Sequence, residues 1–314
     1  MSKPVGDNRN TEHIRALLVF NPFAGENKSM RILPQVIKNM TDNGYACMTF
    51  TTTGVGAATD IVARYGEKCS MVVCSGGDGT ANEIIRGLMT IEAEKRPVFG
   101  YIPSGSTNDF ANALGIPKLV DQAVDNLVSG QIVPVDVGLF NDRYYAYVAA
   151  FGAFTDIAYT TSQDAKNIWG PLAYVVSGLG KLKDIHPVRA RFTINGEEIV
   201  DDFIFCSISN SRIIGGVIRL KPAWVDLNDG KFEIILIKYP ANAIETGKIV
   251  NAISSGEMRS CELIRMFSAD EVRVEALGKD PISWSLDGES EKDVRVATIR
   301  NVKSGIRAIV PKAK

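Results

Sequence analysis

"SGGDGTANE" at residues 75–83 lies between the apolar run "MVVC" (71–74) and "IIRGL" (84–88). Three glycines, an aspartate and a threonine stand where a buried strand hands over to a helix. Glycine there permits a tight turn and lets backbone N–H groups approach an anion, while the helix adds the positive end of its dipole. A plainer reading uses the same residues: Gly76, Gly77 and Gly79 make a turn, and "TANE" (80–83) is a capping box. Both readings predict strand, loop and helix in that order, the unit of a parallel sheet. The spacing is not that of a Walker A loop, and no G-x-G-x-x-G follows the first apolar run, which disfavours a Rossmann dinucleotide site.

Working outward, "ALLVF" (16–20), "YACMTF" (45–50) and "VFGYIP" (98–103) read as further strands. Helical patterns near 28–41, 56–66, 80–90 and 107–129 separate and follow them. The alternation predicts a doubly wound α/β domain with its sheet covered on both faces. From about residue 132 the rhythm changes to "VRARFTI", "FIFCSIS", "KFEIILIKY", "EVRVEAL" and "VRVATIR", with helical patches near 167–182 and 243–256. "INGE" and "LNDGK" are hairpin signals, because Asn and Gly tolerate positive φ. The second half therefore reads as a largely antiparallel β domain, with the boundary near residue 138.

The 314 residues, 45% of them hydrophobic, suffice for one large or two medium cores. With 35 Lys and Arg against 36 Asp and Glu, the balance disfavours a generic nucleic-acid binder. Five scattered cysteines (Cys47, Cys69, Cys74, Cys206, Cys261) include no C-x-x-C pair, so neither a disulfide framework nor a thiolate zinc site is expected. The polar N-terminal stretch has no apolar h-region, and a reducing cytoplasm fits best. The longest uncharged stretch, 167–180, falls short of the roughly 20 apolar residues of a membrane span.

In an open α/β sheet ligands bind beyond the carboxyl ends of the strands. "NPFAG" (21–25), "GGDGT" (76–80) and "PSGSTNDFA" (103–111) should converge there. Asp78 within a phosphate-binding turn is a conflict that a divalent cation would remove, since Mg²⁺ binds through one or two carboxylates, waters and phosphates. Asp109 and Asp136 are candidates for the same cluster, with a helix cap or turn as the plain alternative for each. Asp287 in "SWSLDGES" (283–290) reads either as a hairpin turn or as the base that takes a proton from an attacking hydroxyl. His13 and His186 lie in unpromising contexts for a triad, and no serine has a nucleophile-elbow setting.

"NPFAG", "GGDGTANEIIRGL", "GYIPSGSTNDFANALGIP", "VDVG", "GPLAYVVSGL", "NDGKFEI" and "LDGE" occur here in an order and spacing that resemble the bacterial soluble diacylglycerol kinases, within the diacylglycerol, sphingosine and ceramide lipid kinases. The likeness runs from about residue 16 to the end; "GGDGT" alone is shared with NAD kinases and phosphofructokinase-like enzymes. It implies a nucleotide-binding kinase domain over 1–138, rejoined by about 302–314, and a β-sandwich-like lipid-substrate domain over 139–301. On the same basis ATP and Mg²⁺ bind in the cleft between them. Gly76, Gly77, Gly79 and Thr80 would bind phosphates, Asn21 and Thr51 would help hold the nucleotide, and Gly105 and Asn108 would line the site. Asp78, Asp109 and Asp136 would form the Mg²⁺ and water network, and Asp229 matches a second, structural metal position. Asp287 would be the general base, with Glu289 close to the nucleotide or metal. A homodimer is also implied.

The expected product is phosphatidic acid from diacylglycerol. The rivals are another lipid alcohol such as a sphingoid base, NAD, or a nucleotide- or lipid-binding regulator without turnover. A kinase of this kind works on the lipid peripherally, at the inner face of the plasma membrane. "FGAF" (151–154) and "IWGPLAYVV" (168–176) are candidate acyl-chain segments, with Lys181 and Lys183 meeting anionic headgroups.

Overall fold

The computed structural model describes residues 14–25, 28–152, 186–214 and 218–312. The candidate acyl segment 168–176, Ala153 and Phe154 of 151–154, Lys181, Lys183 and the helical pattern 167–182 lie outside them.

β1 (Ile14–Phe20), β2 (Tyr45–Thr51), β3 (Met71–Gly76) and β4 (Val98–Pro103) form a parallel sheet in the order β2-β1-β3-β4. Alternation along β1 shows why both faces are covered. Leu17 and Val19 pack with Ala58, Val62, Ile84 and Leu88 from α3 (Ala57–Tyr65) and α4 (Asp78–Met89). Ala16, Leu18 and Phe20 pack with residues of α2 (Leu33–Asp42) and α6 (Val120–Ser129) on the other side. The helix expected over 28–41 is broken at Ile32 into α1 (Lys28–Arg31) and α2, with Pro34 in the first turn of α2, the place a helix tolerates it. α5 (Asp109–Ala113) is a single short turn after β4.

The rest is built on antiparallel pairs. Its strands are β5 (Gln131–Phe140), β6 (Arg143–Tyr145), β7 (Val148–Gly152), β8 (Val188–Ile194), β9 (Glu197–Ser209), β10 (Ile213–Ile214), β11 (Ile218–Arg219), β12 (Phe232–Lys238), β13 (Ile264–Ala269), β14 (Glu271–Ala276), β15 (Ile282–Leu286), β16 (Glu289–Val294) and β17 (Val296–Val310). One helix, α7 (Ala243–Ser255), follows β12 and is capped by Asn242, which accepts from the N–H groups of Ile244 and Glu245. Asn195 and Gly196, both at positive φ, turn β8 into β9 as "INGE" predicts. A separate core gathers Phe140, Phe151, Phe192, Phe203 and Trp284.

β17 joins the two regions. It pairs antiparallel with β14 and β5 and meets β4 in parallel at Ala308 and Phe99. The main sheet thus runs β16-β15-β7-β9-β8-β14-β17-β4-β3-β1-β2, and residue 138 falls inside β5, where no break occurs.

Candidate active site

The three loops predicted to converge are tied together at the carboxyl edge of the parallel sheet. Asn21 donates from Nδ2 to Thr80 Oγ1 at 3.0 Å, and its backbone N–H donates to the Ser75 carbonyl. A buried chain of hydroxyls, Ser29 to Ser75 at 2.8 Å and Ser75 to Ser104 at 3.3 Å, links the same loops beneath the surface. Thr51 is exposed at the end of β2.

The glycines do different work. A Cβ on Gly76 would meet Thr80 at 2.6 Å, and a Cβ on Gly105 would lie 2.5 Å from the Cα of Gly77, so these three serve close packing of the protein on itself. Around Gly79 nothing lies within 4 Å of such a Cβ; only there does the missing side chain leave open space. "TANE" is not a capping box: α4 starts at Asp78, and Glu83 instead accepts from the N–H groups of Gly56 (2.8 Å) and Ala58 (3.1 Å), at the start of α3.

Asp78 accepts from Thr107 Oγ1 at 3.0 Å and from the N–H groups of Asp109 and Phe110 at 3.1 Å each, which caps α5 and clasps the 103–111 loop. Asn108, at φ 53°, folds the loop back by accepting from the Gly105 N–H and donating to its carbonyl. Asp109 lies beside Asp78 and accepts no hydrogen bond among the described residues. Burial first, and the charge of Asp78 second, push its carboxyl up to about 6, while Lys118 opposes.

Asp287 is both turn and buried acid. It sits at φ 50° before Gly288 at φ 88°, the conformation of a tight hairpin turn between β15 and β16, and it is 5% exposed. Its Oδ1 accepts from the N–H groups of Tyr147 and Val148 at 3.0 Å. Its Oδ2 accepts from the Ala146 N–H and from Asn82 Nδ2, the latter at 2.5 Å. Burial drives its carboxyl up to about 6, against the three backbone donors and with help from Asp78. Glu289, two residues on, pairs with Arg143 and stands 3.8 Å from Arg86.

Asp136 and Asp229 belong elsewhere. Asp136 is fully buried within β5 and accepts from the N–H groups of Gly230 and Ser304 at 2.7 Å each, bracing an irregularity in β17. Its acidic neighbour is Asp229, and both act with Asp226 on Glu233, whose burial pushes it up to about 8. The network expected of Asp78, Asp109 and Asp136 thus divides: Asp78 and Asp109 lie toward Asp287, while Asp136 lies with Asp229 and with Glu233, which the sequence did not single out. Among the described residues no three His, Cys, Asp or Glu side chains converge to hold an ion. A cavity of about 650 Å³ lies beside Asp229, lined also by Val133, Arg212 and Trp224, and touches neither Asp78 nor Asp287.

Asn82, Arg86, Arg143 and the 146–148 backbone were not singled out by the sequence. The available signal for the first two is their i, i+4 spacing on the helix that begins in the glycine loop, which places them on one face.

A glycine loop at a helix N-terminus, a second loop clasped by Asp78 and a buried carboxyl on the facing hairpin thus meet at this edge of the sheet. Residues 15–140 match the model of the diacylglycerol kinase catalytic domain, and residues 151–313 that of the YegS C-terminal NAD kinase beta sandwich-like domain. The diacylglycerol kinase of Staphylococcus carnosus (strain TM300) is 32% identical over 95% of this chain and 95% of its own. That of Bacillus subtilis (strain 168) is 30% identical over 96% and 97%. The fold is shared with a crystal structure of a diacylglycerol kinase from Bacillus anthracis str. Sterne, at TM-score 0.72 and 20% identity over 96% of this chain and 98% of that one. The chain belongs to the diacylglycerol kinase family and is a lipid kinase.

Proposed function

We propose that the chain transfers the γ-phosphoryl group of ATP to the free hydroxyl of diacylglycerol, giving phosphatidic acid, with Asp287 as the group that accepts the hydroxyl proton. The observation that carries this reading is a buried carboxyl on the second region's hairpin, bonded directly to the helix that starts in the glycine loop. A lipid alcohol is a weak nucleophile at neutral pH, so the reaction needs in-line positioning, charge neutralisation and a late proton acceptor. In this reading Gly79 and the α4 N-terminus receive phosphate oxygens, and Asn21 and Thr80 hold the loop that presents them. Thr51, exposed where β2 ends, and Asn108, which shapes the 103–111 loop, border the nucleotide. Glu289, already neutralised by arginines, orders the hairpin.

The residues fit a magnesium ion in one place: Asp109 has an unengaged carboxylate beside Asp78, and burial first and the charge of Asp78 second raise Asp109. Three donors already occupy Asp78, so a cation would be completed by water and substrate phosphates, the usual habit of Mg²⁺. When bound, the ion would neutralise phosphate charge. Asp136, whose two oxygens are taken by the Gly230 and Ser304 N–H groups, and Asp229 do not converge with a third ligand among the described residues, so the residues there do not fit a second ion.

No described helix is long and apolar enough to cross a membrane. We place the protein in the cytoplasm, working peripherally at the membrane surface, and as a homodimer; sedimentation with and without anionic vesicles tests both. The central test is transfer of labelled γ-phosphate from ATP in mixed micelles with Mg²⁺, one acceptor at a time, with Asp287→Ala as control. Labelled phosphatidic acid, lost in the variant, is expected. Label only on a sphingoid base, another lipid or NAD would change the substrate, and no label on any acceptor would overturn the reading.

A further inference from the structure

Asn82 is 1% exposed, on α4 one turn beyond the glycine loop, and its Nδ2 donates to Asp287 Oδ2. Its Oδ1 has no partner among the described residues, so this side chain's one hydrogen bond is the one to Asp287. A buried amide oxygen left without a donor is costly, and its retention here needs a compensating use. Arg86, one turn further along the same face, stands 3.8 Å from Glu289. An i, i+4 pair on α4 therefore meets an i, i+2 pair at the head of β16, with Gly77 at the other end of the helix next to the phosphate loop.

We propose that Asn82 is the positioning residue for Asp287: projected from α4, its amide fixes the rotation of the carboxylate, holds its charged form, and sets its distance from the glycine loop. This rests on the reading of Asp287 as proton acceptor. A rigid helix fixes the span from loop to carboxylate, whereas the hairpin alone would leave the carboxylate held only by its own region, through residues 146–148. The charged and titratable groups around Asp287 are Asp78 from the start of α4, Tyr145 and Tyr147 from the adjoining segment, Asp109 across Tyr147, and Glu289 with Arg86 and Arg143 at the hairpin. Among these and the backbone, Asn82 is the neutral side-chain donor.

The test compares wild type, Asn82→Leu and Asn82→Asp in two ways: kcat and KM for ATP across pH, and titration of the Asp287 carboxyl by ¹³C NMR, assigned against Asp287→Asn. Loss of a donor to a carboxylate disfavours its charged form, so Asn82→Leu should move the Asp287 titration and the acid limb of kcat/KM upward by about one to two pH units. KM for ATP should stay within about twofold while kcat falls. Asn82→Asp, nearly the same shape and the fallback if the leucine variant does not fold, should move both further, since two adjacent carboxyls resist ionising together. An Asp287 titration unmoved in the folded variants, with activity reduced equally at every pH, overturns the inference. A titration that moves while the rate profile does not would keep Asn82 as the partner of Asp287 and remove Asp287 as proton acceptor.

Discussion

Asp136 and Asp287 are two buried aspartates that use their oxygens alike. Asp136 gathers the backbone N–H groups of Gly230 and Ser304, and Asp287 those of Ala146, Tyr147 and Val148. Each holds an irregular backbone segment whose donors would otherwise be left buried and unpaired. They differ in what faces them. Asp136 looks toward Asp229 inside the β-rich region, while Asp287 looks across to α4 and Asp78, where the glycine loop meets the helix. Burial and backbone donors mark a structural carboxylate; a site for chemistry needs, in addition, a second element that brings a reacting group to it.

The largest effect should come at Asp287. Asp287→Asn keeps the shape and is expected to lower kcat about 10²- to 10⁴-fold, the range of a lost general base, with a native circular dichroism spectrum. A variant with near-normal turnover would break the comparison, leaving Asp287 as only another clamp like Asp136.

The glycines give the next contrast. Gly105→Ala drives a Cβ to 2.5 Å from the Gly77 Cα, so the two loops must separate. A displacement of about 1 Å in positioned groups can cost about 100-fold in rate, and a loss of kcat/KM for ATP near that size is expected. Gly79→Ala meets nothing within 4 Å, so its melting temperature should be unchanged while ATP affinity falls. Unchanged affinity there would move the phosphates away from Gly79.

At Asp136 the expected effect is on stability. Asp136→Ala orphans two buried backbone donors and should lower the free energy of unfolding in urea by about 2–4 kcal/mol. If stability held and turnover vanished, the two acidic groups would have to be one functional unit.

The fold was largely legible because periodicity reports burial. The runs "ALLVF", "VFGYIP" and "VRARFTI" became β1, β4 and β8, and the Asn-Gly pair at 195–196 made its hairpin. What periodicity could not show was how far β17 reaches back, since pairing between residues about 170 apart, such as Ile306 and Val135, leaves no local trace. At the site, residue types pointed to Asp78, Asp109 and Asp287, but type alone also grouped Asp136 with them. Only the placement of β5 beneath the 226–230 loop separates it. Asn82 was hidden for the opposite reason: a neutral amide inside a helix carries no chemical signature until its partner, 205 positions away, is brought to it.

The smallest predicted effect would sharpen the contrast from the second acidic group. Glu233 is 5% exposed, and its carboxyl is raised to about 8 by burial first and Asp229 second, whereas an unfolded glutamate titrates near 4.5. Between those values the folded protein keeps a proton that the unfolded chain has released, so stability must fall as pH rises and level off above about 8. Asp109 and Asp287, raised to about 6, act in the same direction, but they are half titrated at pH 6 and nearly spent by pH 7. The slope between pH 7 and 8 is therefore assigned to Glu233, at no more than about 1.4 kcal/mol per pH unit. In metal-free buffer the melting temperature should drop across this interval and stay flat in Glu233→Gln. If Mg²⁺ flattened the wild-type curve as the substitution does, the cation would be entering beside Glu233. If it flattened nothing there yet raised stability overall, it would be binding elsewhere, and the Asp78 and Asp109 pair would be the place to look.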